Sequence, residues 1–171
     1  MSKIGKKNIV IPKESSVKID GPDLTITGPK GTKKLTINDK IFSSKLNESE
    51  FQIKPLDTKI DKKTSILWGT YRSLINNAVM GVSAGHEKIL ELNGVGFRAN
   101  IKGEFLNLQI GFSHDVNFKI PKEIKITVEK QTTIKINGVD KELVSKIAAD
   151  IKNLKPVEPY KAKGIKEKGQ F

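Results

Sequence analysis

The 171-residue chain contains no cysteine, and aromatic residues make up only 6% of it. Without cysteine there is no disulfide framework, no thiolate zinc site and no thiol nucleophile. His86 and His114, the two histidines, stand far apart and lack carboxylates at ligand spacing, so no metal site is expected. No apolar run approaches the ~18 residues that a membrane-spanning helix needs. The stretch from Met1 to Asn8 lacks the apolar segment of a signal peptide, so no secretory leader is expected. With so few aromatic rings, the core must rest mainly on Ile, Leu and Val.

Catalytic patterns are missing too. Ser113-His114-Asp115 holds the letters of a catalytic triad. Adjacent residues on an extended segment point to opposite faces, however, so the three side chains cannot converge. Gly94-Val95-Gly96 follows a strand-like segment, as a dinucleotide-binding turn would. The strand-like run from Phe97 to Ile101 comes next, so no helix N-terminus is there to receive a pyrophosphate. There is no Walker-type phosphate loop, and the carboxylates are scattered among lysines. Neither an enzyme, a cofactor nor a small-molecule substrate is expected.

Positive charge is abundant. Lys and Arg number 31 against 19 Asp and Glu, a formal net charge of +12 with a pI near 9.7. A field of that sign attracts polyanions, either nucleic acid or an acidic membrane surface. Arg72 and Arg98 are the only arginines; every other basic residue is lysine. Lysine meets phosphates as a hydrated point charge and lacks the planar fork that reads a guanine edge, which favours recognition of backbone and shape. A peripheral membrane protein would need a basic amphipathic helix, and neither helix expected below concentrates lysine on one face.

The apolar pattern changes period twice. Val17 and Ile19, Leu24 and Ile26, and Leu35 and Ile37 alternate with polar residues. This is the mark of half-buried strands. Breaks at Asp20-Gly21-Pro22, Gly28-Pro29-Lys30-Gly31 and Asn38-Asp39 carry turn chemistry. Further strands are expected over Ile41 to Leu46 and Phe51 to Ile53. Leu67, Tyr71, Leu74 and Ala78 then recur at helical spacing, with Asp61 or Thr64 as cap and Gly81 as terminator. Strands return over 88–93, 97–101, 105–110, 116–120, 124–128 and 133–136. A second helix buries Val144, Ile147, Ala148, Ile151 and Leu154 behind an Asp140 cap.

Two strands-then-helix units in tandem suggest duplication, and Ile11-Pro12-Lys13-Glu14 recurs as Ile120-Pro121-Lys122-Glu123. After each comes a strand pair ending in Thr27-Gly28 or Asn137-Gly138. The expected fold class is α+β: two tandem, duplicated domains over 1–82 and 83–154. Each has small antiparallel or mixed sheets packed on one helix. A basic tail over 155–171 and a basic amino-terminal extension are expected to order only against a partner.

Glu158-Pro159-Tyr160-Lys161-Ala162-Lys163-Gly164-Ile165-Lys166 resembles the carboxy-terminal signature of large-subunit ribosomal protein six, bacterial or organellar type. Met1 to Lys7 is similar to the start of that family, and Gly69 to Asn77 to its first helix. Leu92 to Ala99, together with Leu108 to His114, is similar to its second-domain core. Ala162 departs from the glycine usual there. The resemblance implies a structural constituent of the large ribosomal subunit. Its rRNA site would lie near the sarcin–ricin loop and stalk base, contacted mainly by the second domain and tail. It also implies neighbouring ribosomal proteins, with translation factors close to the first domain.

Within the tail, Pro159 stiffens the chain, Tyr160 offers a stacking face, and Lys155, Lys161, Lys163, Lys166 and Lys168 can meet phosphates. Gly164 removes bulk, and Arg98 and His114 are further rRNA-binding candidates. The alternative is a basic nucleic-acid-binding or RNA-chaperone module outside the ribosome. The expected location is a bacterial cytoplasm or, for an organelle-encoded protein, the mitochondrial matrix or plastid stroma.

Overall fold

The computed structural model describes residues 2–169. Met1, at the family-like start, and Gln170 and Phe171, in the expected basic tail, lie outside the described residues. The chain divides into two compact units, Met1–Gly85 and His86–Phe171. The first contains β1 (Ile9–Val10), β2 (Ser16–Asp20), β3 (Asp23–Gly28), β4 (Gly31–Thr36), β5 (Phe42–Leu46), β6 (Glu50–Pro55) and α1 (Lys62–Ser83). The second contains β7 (His86–Asn93), β8 (Arg98–Lys102), β9 (Phe105–Gln109), β10 (Val116–Lys119), β11 (Ile124–Glu129), β12 (Thr133–Gly138), α2 (Lys141–Leu154) and β13 (Gly164–Glu167).

The sheets give the duplication its clearest form. The first unit has sheets ordered β1-β6-β5 and β2-β3-β4; the second has β7-β12-β11 and β8-β9-β10, with β13 added beside β7. Every pairing is antiparallel. Strand for strand, β1 to β6 correspond to β7 to β12, and each series leads into one helix. The sequence echo that suggested the repeat is out of step with this correspondence. Ile11-Pro12 precedes β2, whereas Ile120-Pro121 precedes β11, the counterpart of β5. Gly28 closes β3, but Gly138 closes β12, the counterpart of β6. Both echoes are local turn chemistry before or after a strand, used at non-equivalent places.

Alternation places Leu90, Leu92, Ile134, Ile136, Ile126 and Ile165 on the core face of the four-stranded sheet, where they pack with Val144, Ile147 and Ile151 of α2. Leu106 and Leu108 of β9 close the same core. Asp140 caps α2, accepting from the Glu142 N–H at 3.0 Å.

The first helix differs from expectation at its face and its end. Its buried residues are Trp68, Ile75, Ala78, Val79, Gly81 and Val82, while Leu67 is exposed and Tyr71 and Leu74 are half-buried. The stripe is rotated by one residue, about 100°, from Leu67–Leu74. Trp68, the only tryptophan, sets the rotation. Its indole N–H donates to the Ile53 carbonyl at 2.8 Å, and Gly5 lies against its ring so closely that a Cβ there would sit 2.6 Å away. Tyr71 makes an edge contact with Phe42, ring centroids 5.4 Å apart. Asp61 supplies the cap, accepting from the Lys62 N–H at 2.7 Å. Gly81 does not end the helix, which runs two residues further to Ser83 and buries Val82 completely. The helix is closed instead at Ala84 and Gly85, whose N–H groups both reach the Met80 carbonyl; Gly85 takes φ 81°.

Among the described residues, both terminal segments make contacts within their own units. Arg72 donates from Nε to the Lys7 carbonyl and from Nη2 to the Asn8 carbonyl, each at 3.4 Å, and so ties the amino-terminal segment to α1. At the other end, β13 pairs with β7 through the register Gly164↔Asn93 to Glu167↔Leu90, and Ile165 is fully buried. The segment after α2 therefore belongs to the second unit's sheet. Edge pairing and an apolar slot for Ile165 hold this strand against its own unit.

Candidate nucleic-acid interface

Between α2 and β13 the chain makes a closed hairpin. The Ile165 N–H donates to the Lys155 carbonyl at 2.9 Å, the Glu158 N–H to the Lys163 carbonyl at 3.0 Å, and the Ala162 N–H to the Glu158 carbonyl at 3.1 Å. Gly164 is buried where the two arms cross, and a Cβ there would meet the Pro156 carbonyl oxygen at 2.6 Å. The tip carries Pro159, Tyr160 and Lys161, all exposed, and Tyr160 keeps 95% of its surface open. An aromatic ring that meets nothing of its own chain, held out by a hydrogen-bonded turn, can stack on a base without first being freed.

Other loops gather beside the hairpin. Lys155 lies over the Phe112 ring, its Nζ 5.3 Å from the centroid, and the His114 ring stacks with Phe112, centroids 6.5 Å apart at an interplanar angle of 21°. The turn at Gly94–Gly96 is placed there by the Asn93↔Gly164 pairing, and it presents Val95 almost wholly to solvent. Phe97 floors this end, with Gly94 and Gly111 lying close against its ring.

The sequence candidates therefore separate. Pro159, Tyr160, Lys161 and Lys163 share the hairpin, with Lys155 and His114 at its base. Gly164 is a packing residue and no contact surface. Lys166 and Lys168 travel away along the strand, at ~3.3 Å per residue. Lys166 stands opposite Glu91 in the register, and the Lys168 N–H donates to the Ile89 carbonyl. Arg98 is exposed on β8 opposite Gln109 and lies outside the hairpin. Phe112, not among the sequence candidates, joins Lys155 and His114 at the base of the hairpin. Only a spatial neighbour, Lys155, distinguishes it from any other half-exposed phenylalanine.

Some basic residues are occupied internally. Lys88 pairs with Glu167. Lys135 is held above the ordinary lysine pKa, first by its 2.7 Å hydrogen bond to Glu129 and then by attraction to that carboxylate. Lys161 and Lys163 make no ion pair among the described residues. No helix among these residues is long and apolar enough to cross a membrane.

A sequence model of the family described as ribosomal protein L6 matches this chain twice, over 11–85 and again over 93–168, one match to each unit. The chain belongs to the ribosomal protein L6 family. Members of that family are structural ribosomal proteins and not enzymes. The large ribosomal subunit protein uL6 of Staphylococcus epidermidis is 44% identical over all of this chain and 94% of its own length. Those of Sphingopyxis alaskensis and Staphylococcus carnosus are 42% and 46% identical, covering all of this chain and 95% and 94% of their own lengths. The two L6 matches start at Ile11 and Asn93, just before β2 and β8, and so follow the strand-for-strand correspondence and not the Ile-Pro-Lys-Glu echo.

Proposed function

We propose that this L6-family chain is a constituent of the large ribosomal subunit in a bacterial cytoplasm, and that it grips large-subunit rRNA through the hairpin after α2. Tyr160 carries the reading: fully presented, backed by Pro159, and flanked by the exposed Lys161 and Lys163. Tyr160 stacks on a base or ribose while Lys161 and Lys163 meet phosphates on either side. Lys155, Phe112 and His114 brace the base of the hairpin and offer it a second contact. Following the family resemblance, the site is rRNA near the sarcin–ricin loop and stalk base. There the chain would stabilise the factor-binding region beside neighbouring ribosomal proteins, with translation factors close by.

The test is binding of the intact chain to large-subunit rRNA across a salt series. Replacing Lys161 and Lys163 together by Gln should flatten the log–log slope by about 0.7–0.9 per lost phosphate contact. Tyr160→Ala should weaken binding at every salt concentration. Slopes and affinities that match the parent chain would place recognition elsewhere.

A further inference from the structure

The two three-stranded sheets β2-β3-β4 and β8-β9-β10 occupy corresponding places in the duplicated fold, but their outward faces are furnished differently. In the second unit, Ala99, Leu106 and Leu108 turn into the core. Alternation then sends their neighbours outward. Across the three strands, Lys102 faces Phe105 and Phe105 faces Lys119, so one aromatic ring on the central strand stands between two lysines. Phe105 is 45% exposed, and both lysines are exposed. The next row is Asn100, Asn107 and Asn117; Asn107 is buried there, its Nδ2 donating to Asn117 Oδ1 at 2.9 Å, so of these two rows the more accessible is that of Phe105. Arg98 and Gln109 form the last pair.

No carboxylate stands on the outward face of these strands; Glu104 and Asp115 lie just beyond their ends. The counterpart face in the first unit carries Lys18, Thr25 and Lys34 across one row, but its next row pairs Asp20 with Asp23, and it has no aromatic residue. Lysines on both edge strands are common to the two faces, so what the shared fold does not account for is the ring between them and the lack of carboxylates in the neighbouring rows. An exposed aromatic on the middle strand of a small sheet, with cations on both edge strands, suits one unstacked nucleotide. Neighbouring strands lie ~4.8 Å apart, so a base on the Phe105 ring leaves its flanking phosphates within reach of both ammonium groups.

We infer that the outward face of β8-β9-β10 is a second RNA contact, which takes an unpaired base on Phe105 and its phosphates on Lys102 and Lys119. This rests on the RNA-binding reading above but uses a surface separate from the hairpin. The test measures intact chains carrying Phe105→Leu, Phe105→Trp or Tyr160→Ala against large-subunit rRNA, with thermal melts to verify folding. Phe105→Leu should lower affinity by roughly ten-fold or more, the usual loss when a stacked base loses its ring, and Phe105→Trp should restore it. If Phe105→Leu binds RNA like the parent while Tyr160→Ala does not, the sheet inference fails and the hairpin reading stands. If Tyr160→Ala is silent and Phe105→Leu is not, the reverse holds. Unchanged RNA affinity combined with weaker retention of Phe105→Leu on purified subunits would make this face a protein contact and overturn the inference.

Discussion

Ala162 shows how one backbone angle explains a residue preference. The sequence signature favours glycine there, and close approach to RNA would be one reason. In the structure Ala162 has φ 52°, the left-handed region, and its N–H closes the hairpin onto the Glu158 carbonyl. Glycine is suited to that conformation, whatever the ligand. An L-residue there costs about 1–2 kcal/mol, partly offset by the extra freedom glycine has when unfolded. Ala162→Gly should therefore stabilise the second unit by about 0.5–1 kcal/mol in urea unfolding. Gly164 two residues on has φ 143° and the Pro156 carbonyl against it. Gly164→Ala should cost about 1–3 kcal/mol. A tolerated Gly164→Ala would mean that the arms of the hairpin do not cross as described.

At the scale of elements, β13 changes what a deletion means. It looks in sequence like part of a lysine-rich tail, yet Ile165 is wholly buried and the strand completes the edge of β7. Cutting after Leu154 would remove charge, strand and core residue together and leave the β7 edge open to other chains. Ile165→Ala in the intact chain should cost about 2–5 kcal/mol, as for other large-to-small core changes. Amide exchange should then quicken along both β13 and β7. If protection in β7 stayed unchanged, β13 would be an ornament to the sheet and not part of it. Charge is better tested by substitution at Lys161 and Lys163, which leaves the strand intact.

At the scale of the whole molecule, each unit has its own helix, two sheets and apolar core, and the second core is drawn entirely from residues after His86. A fragment spanning 86–169 should therefore fold alone and unfold cooperatively, checked by circular dichroism and urea titration. It should also keep most of the rRNA affinity, since the hairpin and the β8-β9-β10 face both lie within it. A fragment without cooperative unfolding would show that the second unit depends on the first.

The sequence by itself determined the α+β class, the two-fold repetition, nearly every strand, the Asp140 cap and the basic character that points to a polyanion. These follow from local periodicity, turn residues and net charge, which need no knowledge of what lies opposite. Only the tertiary structure decided which face of α1 is buried, because Trp68 finds the Ile53 carbonyl and Gly5 far away in sequence. It also decided that the repeat aligns β2 with β8 and not one Ile-Pro-Lys-Glu with the other, and that Lys166 belongs to a strand while Lys161 belongs to a tip. Phe112 and Phe105 acquire meaning only beside Lys155 and between Lys102 and Lys119. Pairings of that kind are set by strand register and loop closure between distant segments, and no local pattern of residues encodes them.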